Sequence, residues 1–407
     1  MARQGCVTGA LWLGRNILNK ELNVLKSGYS TKDILLRNSS ARIEAVRCAS
    51  TNSETQRKKP KLGVFGKAVL LGIGVGGAYG YYSYEQRKKL LAKPASGAQF
   101  LLKEPPPEHP PSKRVSIPGD NTGLKLTLYQ YQTCPFCCKV RAFLDYYGIS
   151  YDLIEVNPVL RKEVKWSSYK KVPVVVAETP QGWQQLNDSS MVMSALYSYL
   201  YDPSRELPEL ASYYPPLTAT DADGRRRTDI MNKYFLMYGD RDTKRTKEDI
   251  KAERAWRRWA DDVLVHTLSP NVYRTPSEAL QAFRWFSETG DWERLFSNWE
   301  RLLVIYVGAA AMYGIGKILK RRHNLKSDVR ESLYEACDTW TRELRHRGTP
   351  FLGGERPNVA DVSVYGVLSS IEGCDAFQEL LQHTKIGPWF ARMKEAVTKH
   401  EGGRAVV

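Results

Sequence analysis

The chain has 407 residues, a formal net charge of +16, 42% hydrophobic residues and 26% charged residues. This length suffices for two ordinary domains with cores, and the composition excludes a wholly disordered or collagen-like chain. Seven cysteines, an odd number, exclude a secreted disulfide scaffold. Residues 1–114 hold 20 Lys/Arg and 7 Asp/Glu (net +13), whereas residues 115–407 hold 40 and 37 (net +3). Because the charge is concentrated in the N-terminal quarter, we expect no nucleic-acid partner.

Residues 1–61 form a polar, basic leader. Up to Arg47 its lysines and arginines occur singly, with few acidic residues and several serines and threonines between them. This composition is typical of a mitochondrial presequence or of another targeting segment.

Residues 62–84 contain a long apolar segment in which no residue from Ala68 to Tyr84 is charged. A helix of these residues spans roughly 25 Å, and adding residues 62–67 brings it close to the bilayer's hydrocarbon core of about 30 Å. We therefore predict a single membrane anchor, with a peripheral or cleaved hydrophobic segment as the alternatives. Basic residues flank both ends, so the charges predict no orientation.

Residues 85–122 follow the apolar segment and are rich in proline, at 105–107 and 110–111. Such a composition predicts an extended spacer. A spacer after an anchor suggests a catalytic body that is held near a membrane.

Residues 123–202 have the pattern of one α/β domain. Alternating apolar residues at 124–128 predict a strand, and the amphipathic segment after Cys134 predicts a helix that ends at Gly148. The next predicted elements are a strand at 151–156, a short helix at 158–166, strands at 172–176 and 183–186, and a helix that opens at 188–190. This order, βαβαββα, is that of the thioredoxin/glutaredoxin fold.

The motif Cys134-Pro135-Phe136-Cys137 carries the chemistry of this domain. It places Cys134 at a helix N-terminus, where unpaired backbone N–H groups and the helix dipole favour the thiolate, so we expect a lowered pKa for this thiol. Cys137 lies one turn later and should be more buried. A zinc site would need a second ligand pair with suitable spacing, and the sequence has none, so we predict no metal site.

Two further motifs lie later in this domain. Val172-Pro173 matches the cis-proline that faces the cysteine in this fold and presents the backbone of Val172 to a bound peptide. Asp188-Ser189 opens a helix and can hold an anionic carboxylate through Ser189 and backbone N–H groups, or can serve as a plain N-cap.

The remaining chain divides into an irregular linker at 203–245 and a helical domain at 246–407. Within the latter, the apolar run 302–316 predicts a buried core or dimer helix, since fifteen residues are few for a second membrane span. Asn358 and Asp361 form the capping box of another helix, as in glutathione-transferase C-terminal domains. The fold class is therefore an α/β thioredoxin/glutaredoxin-like domain followed by an all-α glutathione-transferase-like domain.

In combination, these motifs resemble those of the type 2 membrane-associated prostaglandin E synthases. The resemblance covers roughly residues 62–407. It rests on Tyr131-x-x-Cys134-Pro135-Phe136-Cys137, Lys171-Val172-Pro173, Asp188-Ser189 and the capping box from Asn358 to Asp361.

This resemblance implies isomerisation of prostaglandin H2 to prostaglandin E2 without an obligatory thiol cosubstrate. It also implies a homodimer that binds glutathione and haem, with the haem-bound form favouring breakdown of the endoperoxide. Cys134 would be the catalytic thiol, Tyr131 its hydrogen-bond partner, and Phe136 a pocket residue. The implied glutathione contacts are Val172, Pro173, Asp188 and Ser189.

Two other classes of function remain open at this point. A glutaredoxin-like oxidoreductase would need both Cys134 and Cys137 to resolve a mixed disulfide. The other class is a non-catalytic, transferase-like carrier of haem or glutathione. The resemblance implies a single-pass Golgi membrane protein with a possible processed soluble form, whereas the leader's composition favours a mitochondrial membrane.

Overall fold

The computed structural model describes residues 100–220, 226–238 and 245–404. The predicted leader at 1–61 and the predicted anchor at 62–84 lie outside the described residues. The described part contains a sheet domain followed by a helical region.

A six-stranded mixed sheet forms the centre of the first domain. The elements of this domain are β1 (Leu101–Leu102), β2 (Lys113–Val115), β3 (Lys125–Gln130), α1 (Pro135–Tyr146), β4 (Tyr151–Glu155), β5 (Val174–Thr179), β6 (Gly182–Asn187) and α2 (Ser189–Tyr201). The strands lie in the order β1-β6-β5-β3-β4-β2, with β3 and β4 parallel and all other neighbours antiparallel. The predicted thioredoxin-like arrangement is therefore present, with two additional edge strands.

The two edge strands come from the segment that was predicted to be a spacer. Leu101 pairs with Gln184 at one edge of the sheet, and Arg114 pairs with Asp152 at the other. The prediction of an extended spacer up to residue 122 is wrong for this part of the chain. Strands of two and three residues are too short for periodicity to reveal, and backbone pairing with the sheet determines them.

The predicted short helix at 158–166 is also wrong, because the described chain forms only a 3₁₀ turn at Lys162–Val164. The Asn157 side chain accepts hydrogen bonds from the N–H groups of Val159 and Leu160 at 2.8 and 2.9 Å. Arg161 then adopts a left-handed conformation with φ of +50°. This local capping competes with helix formation.

The predicted irregular linker at 203–245 contains regular structure. Its elements are α3 (Leu207–Ser212) and a hairpin of β7 (Pro216–Thr220) and β8 (Arg226–Ile230). The helical region that follows consists of α4 (Lys247–Trp259), α5 (Val265–Val272), α6 (Pro276–Thr289), α7 (Trp292–Leu295), α8 (Asn298–Leu303), α9 (Ala309–Arg322), α10 (Val329–Arg347), α11 (Val359–Ser369), α12 (Asp375–His383) and α13 (Gly387–Thr398).

Helix α11 packs directly on helix α1 and so joins the helical region to the sheet domain. A Cβ atom at Gly366 would lie 2.5 Å from the Cα atom of Lys139, so this approach requires glycine. The predicted capping box starts α11: the Asp361 N–H donates to Asn358 Oδ1 at 3.2 Å, and the Asn358 N–H donates to Asp361 Oδ2 at 3.1 Å.

A buried ion pair lies in the same interface. Lys139 Nζ donates to Asp261 Oδ1 at 2.5 Å and to Ser190 Oγ at 2.9 Å, and its side chain is 0% exposed. The Ser190 and Tyr234 hydroxyls donate to Asp261 Oδ2 at 2.6 and 3.1 Å. This network ties α1 and α2 to the π-helical turn that follows α4.

The apolar run 302–316 lies within one continuous helical segment, Asn298–Arg322, that passes through a π-helical turn between α8 and α9. Met312 and Ile315 are buried, but Leu302, Tyr306 and Val307 are 47%, 54% and 47% exposed. The prediction of a buried core helix therefore holds for one face only. Because the helix extends beyond the fifteen-residue apolar run, its length and composition alone would also allow it to cross a membrane.

Candidate active site

Cys134 lies between the end of β3 and the start of α1. Its N–H donates to the Tyr131 carbonyl at 3.1 Å, and its own carbonyl accepts the first helical hydrogen bond, from Cys138 N–H at 2.9 Å. Pro135 occupies the first helical turn, where a missing N–H has no cost. The sequence therefore places the half-buried Cys134 at a helix N-terminus, as predicted.

The two neighbouring thiols differ from Cys134 in burial. Cys137 is fully buried, and burial together with a hydrogen bond to Cys134 raises the pKa of Cys137 well above its usual value. Cys138 is buried as well, and burial raises its pKa; its thiol donates to the Gln132 carbonyl at 3.4 Å and accepts from Arg141 at 3.1 Å. Cys134 is thus the most accessible thiol of the motif.

The Tyr131 hydroxyl has a partner that the sequence did not predict. Arg161 Nη1 donates to Tyr131 Oη at 2.9 Å, while Arg161 Nη2 donates to the Lys170 carbonyl at 2.8 Å. Burial raises the pKa of Tyr131, Arg161 opposes the shift, and the nearby Cys134 and Cys137 add to it. Because Arg161 occupies a lone pair of the phenol oxygen, the phenol proton can be directed elsewhere. The role of Tyr131 toward Cys134 stays a prediction.

The predicted peptide-binding segment lies beside the cysteines. The Val172–Pro173 bond is cis, and Val172 packs in a small apolar cluster that contains Cys137 and borders Cys134 and Tyr131. The paired part of β5 begins at Val174, so the peptide groups of Val172 precede it.

Asp188 acts as the N-cap of α2. Its Oδ1 accepts from the N–H groups of Ser190 at 2.9 Å and Met191 at 3.4 Å, and its φ is +74°, which non-glycine residues seldom adopt. Ser189 is buried at the first helical position. The capping interpretation is therefore confirmed, and a role for this pair in ligand binding stays a prediction.

Tyr169 and Tyr273 also belong to this region, and the sequence did not single them out. Burial raises the pKa of Tyr169, and Asp188, Cys137 and Cys134 contribute to the shift. Burial likewise raises the pKa of Tyr273, with Cys374 and Cys134 adding to it. The Tyr169 side chain packs against the small apolar cluster that contains Cys137.

Phe136 lies directly after Pro135 and is partly buried against the main apolar core. Lys139 Nζ lies 6.0 Å from the centre of its ring. That Phe136 lines the substrate pocket stays a prediction.

The glutaredoxin family model matches residues 126–179. A glutaredoxin 2 from Salmonella typhimurium, solved in complex with glutathione, is 14% identical and covers 67% of this chain and 94% of its own, with a TM-score of 0.33.

Two curated relatives are similar over most of the chain. Prostaglandin E synthase 2 of Mus musculus is 43% identical over 365 residues, which are 88% of this chain and 88% of that protein. Prostaglandin E synthase 2 of Danio rerio is 44% identical over 297 residues, which are 72% of this chain and 76% of that protein. The chain belongs to the prostaglandin E synthase 2 family.

Proposed function

We propose that this protein isomerises prostaglandin H2 to prostaglandin E2 and that Cys134 supplies the reacting sulfur. The observation that carries the proposal is the pairing of one accessible thiol at a helix N-terminus with a phenol whose oxygen is held by Arg161. The names of the two curated relatives support the choice of product.

The reaction balances without an external oxidant or reductant. The Cys134 thiolate attacks the endoperoxide oxygen on C9, the O–O bond breaks, and its electron pair goes to the oxygen on C11. Tyr131 protonates that oxygen to give the 11-hydroxyl. The resulting tyrosinate removes the C9 proton, the C–H electrons form the 9-ketone, and the S–O bond breaks to restore the thiolate. Positioning and acid–base catalysis suffice, because the weak O–O bond supplies the driving force.

Arg161 has a testable part in this scheme. The substitution Arg161→Met keeps an unbranched stem but removes the donor to Tyr131, so the phenol loses its orientation. We expect kcat for prostaglandin E2 formation to fall roughly tenfold or more, as for a misplaced acid–base group. Steady-state product formation measures it, with Arg114→Met on the exposed edge strand β2 as the control. Equal rates for the two variants would remove Arg161 from the scheme.

Glutathione binding is proposed for the residues beside Cys134. The backbone of Val172 before Pro173 can pair with an extended peptide, and Asp188 and Ser189 stand at the start of α2. The oxygen of Asp188 that is not engaged in capping lies 3.8 Å from Lys233 Nζ, so both signs of charge are available for a zwitterionic tripeptide.

Haem is proposed as a second ligand of the same site and is not required for isomerisation. A cysteine sulfur is one of the protein groups that can hold haem iron. Cys134 fits this requirement because it is half-buried, whereas Cys137 and Cys138 are buried. When bound, haem supplies an iron that can cleave a peroxide bond. Its presence would withdraw Cys134 from isomerisation.

A homodimer is proposed through the exposed face of segment Asn298–Arg322. Residues 302–316 contain no charge, and a Cβ atom at the exposed Gly314 would meet nothing within 4 Å, so a second helix could approach this face closely. We expect Tyr306→Glu to halve the mass measured by light scattering in detergent solution. Leu217→Glu, at an equally exposed site on the hairpin, is the control. A monomeric wild-type protein, or a dimeric Tyr306→Glu variant, would contradict this assembly.

We further propose that residues 62–84 anchor the protein in the Golgi membrane and that processing also yields a soluble form. The alternative location is a mitochondrial membrane. Fractionation of cells that express the full chain, before and after carbonate extraction, separates these outcomes.

The proposed function is tested by two assays on one sample. An isomerase forms prostaglandin E2 from prostaglandin H2 with no thiol added. A glutaredoxin-like oxidoreductase instead reduces a glutathione mixed disulfide and loses this activity when Cys137 is replaced. Disulfide reduction without prostaglandin E2 formation would favour the second function.

A further inference from the structure

A buried carboxylate lies directly beneath the turn that carries Cys134. Glu155 is the last residue of β4, is 5% exposed, and pairs in register with Gln130 at the end of the parallel strand β3. Since both strands end here, the Glu155 side chain lies where the chain leaves β3 for the Cys134 turn.

Both oxygens of this carboxylate are engaged by residues around that turn. The Gln132 N–H donates to Glu155 Oε1 at 2.8 Å, and Gln130 Nε2 donates to Glu155 Oε2 at 3.1 Å. Gln130 Nε2 also donates to Gln132 Oε1 at 2.8 Å. Glu155 is thus bound to the main chain two residues before Cys134.

Arg141 of helix α1 completes the network. Arg141 Nη2 donates to the Gln132 carbonyl at 2.7 Å, and Arg141 Nη1 donates to Gln130 Oε1. The N–H and the C=O of Gln132 are therefore held by a carboxylate and a guanidinium, respectively. Charge-assisted bonds of this kind are stronger than neutral ones and fix geometry.

We propose that Glu155 is a positioning residue that holds the Cys134 turn in its reactive geometry through Gln132. The inference deepens the proposed isomerase function and rests on it. Glu155 acts through the turn and does not touch the substrate. A loss of its bond to Gln132 would let the turn, and with it the sulfur, shift relative to Tyr131.

The charged groups around Glu155 make this role sensitive to pH. Burial raises the pKa of Glu155 to about 7, against the opposing effects of Gln132, Arg141 and Gln130, and Cys134 adds a smaller upward shift. By reciprocity, an ionised Glu155 disfavours the thiolate of Cys134. The same carboxylate therefore orients the turn and, when ionised, disfavours ionisation of the Cys134 thiol.

The test uses the full chain and the substitution Glu155→Gln, with Asp152→Asn on the same strand as the matched control. Asp152 carries the same charge but is partly exposed and paired with Arg114. The first readout is the pH dependence of Cys134 alkylation by iodoacetamide, followed by mass spectrometry of the peptide that contains Cys134. We expect the pH midpoint of Cys134 alkylation to be lower in Glu155→Gln than in wild type, because a negative charge is removed. The midpoint in Asp152→Asn should equal that of the wild type.

The second readout is kcat for prostaglandin E2 formation, which we expect to fall about tenfold in Glu155→Gln with little change in KM. The aspartate in Glu155→Asp keeps the charge but is too short to reach Gln132, so this variant should lower kcat without moving the alkylation midpoint. It also replaces Glu155→Gln as the test variant if Glu155→Gln does not fold. Unchanged alkylation and kcat, or equal shifts in the control, would overturn the proposal. Alkylation needs no endoperoxide, so it tests Glu155 even if the wild-type chain forms no prostaglandin E2.

Discussion

Replacing Cys134 with serine is expected to abolish prostaglandin E2 formation. A serine hydroxyl is far less acidic than a thiol at a helix N-terminus, so no nucleophile comparable to the thiolate remains. The expected decrease in kcat/KM is on the order of a thousandfold or more, as for the loss of an enzymatic nucleophile. Chromatographic quantification of prostaglandin E2 measures it.

The matched control for this prediction is Cys137→Ser. Cys137 is fully buried, burial raises its pKa, and the scheme assigns it no step. We therefore expect a mild effect, within a fewfold of the wild-type rate. Equal losses in the two variants would count against a one-thiol isomerase and favour the dithiol chemistry of glutaredoxins.

The second large effect concerns stability. Asp261→Asn removes the counter-ion of Lys139, whose side chain is 0% exposed in the interface of the sheet domain and the helical region. An unpaired buried charge costs about 3–5 kcal/mol of unfolding free energy. Chemical denaturation of the full chain in detergent should show this loss. The neighbouring and exposed Asp262→Asn is the control and should change stability by less than about 1 kcal/mol.

The same pair predicts how stability depends on pH. Burial alone would raise the pKa of Asp261, but Lys139, Ser190 and Lys233 outweigh it and lower the pKa to about 2. A carboxyl group with a lowered pKa contributes stability above its unfolded value near 4, and this contribution is lost as pH falls toward 2. The difference in unfolding free energy between wild type and Asp261→Asn should therefore become smaller as the pH falls from about 4 toward about 2. A difference that stays constant down to pH 2 would contradict the ion-pair explanation.

Local chemistry determined which parts of the site could be predicted from the sequence. Cys134 and Pro135 are adjacent and define a helix start by themselves, and Asp188 caps a helix through its own next residues. The cis Val172–Pro173 bond is also confirmed. In each case the residues that fix the geometry are neighbours in the chain.

The contacts that sequence reasoning missed join distant segments. Arg161 reaches Tyr131, 30 residues earlier in the chain, from a segment whose start is capped by Asn157. Lys139 and Asp261 are 122 residues apart, and no periodicity relates them. One signal was available for Glu155, since a carboxylate that directly follows the apolar pair Leu153-Ile154 is seldom buried without a partner.

The chemistry of the Cys134 site is tested most directly by product analysis from prostaglandin H2 with the full chain, with and without haem plus glutathione. We expect prostaglandin E2 as the main product when neither ligand is added. With both ligands present, we expect prostaglandin E2 to decline and endoperoxide breakdown products to take its place. A chain that forms no prostaglandin E2 above the uncatalysed rate in the absence of both ligands would contradict the proposed isomerase.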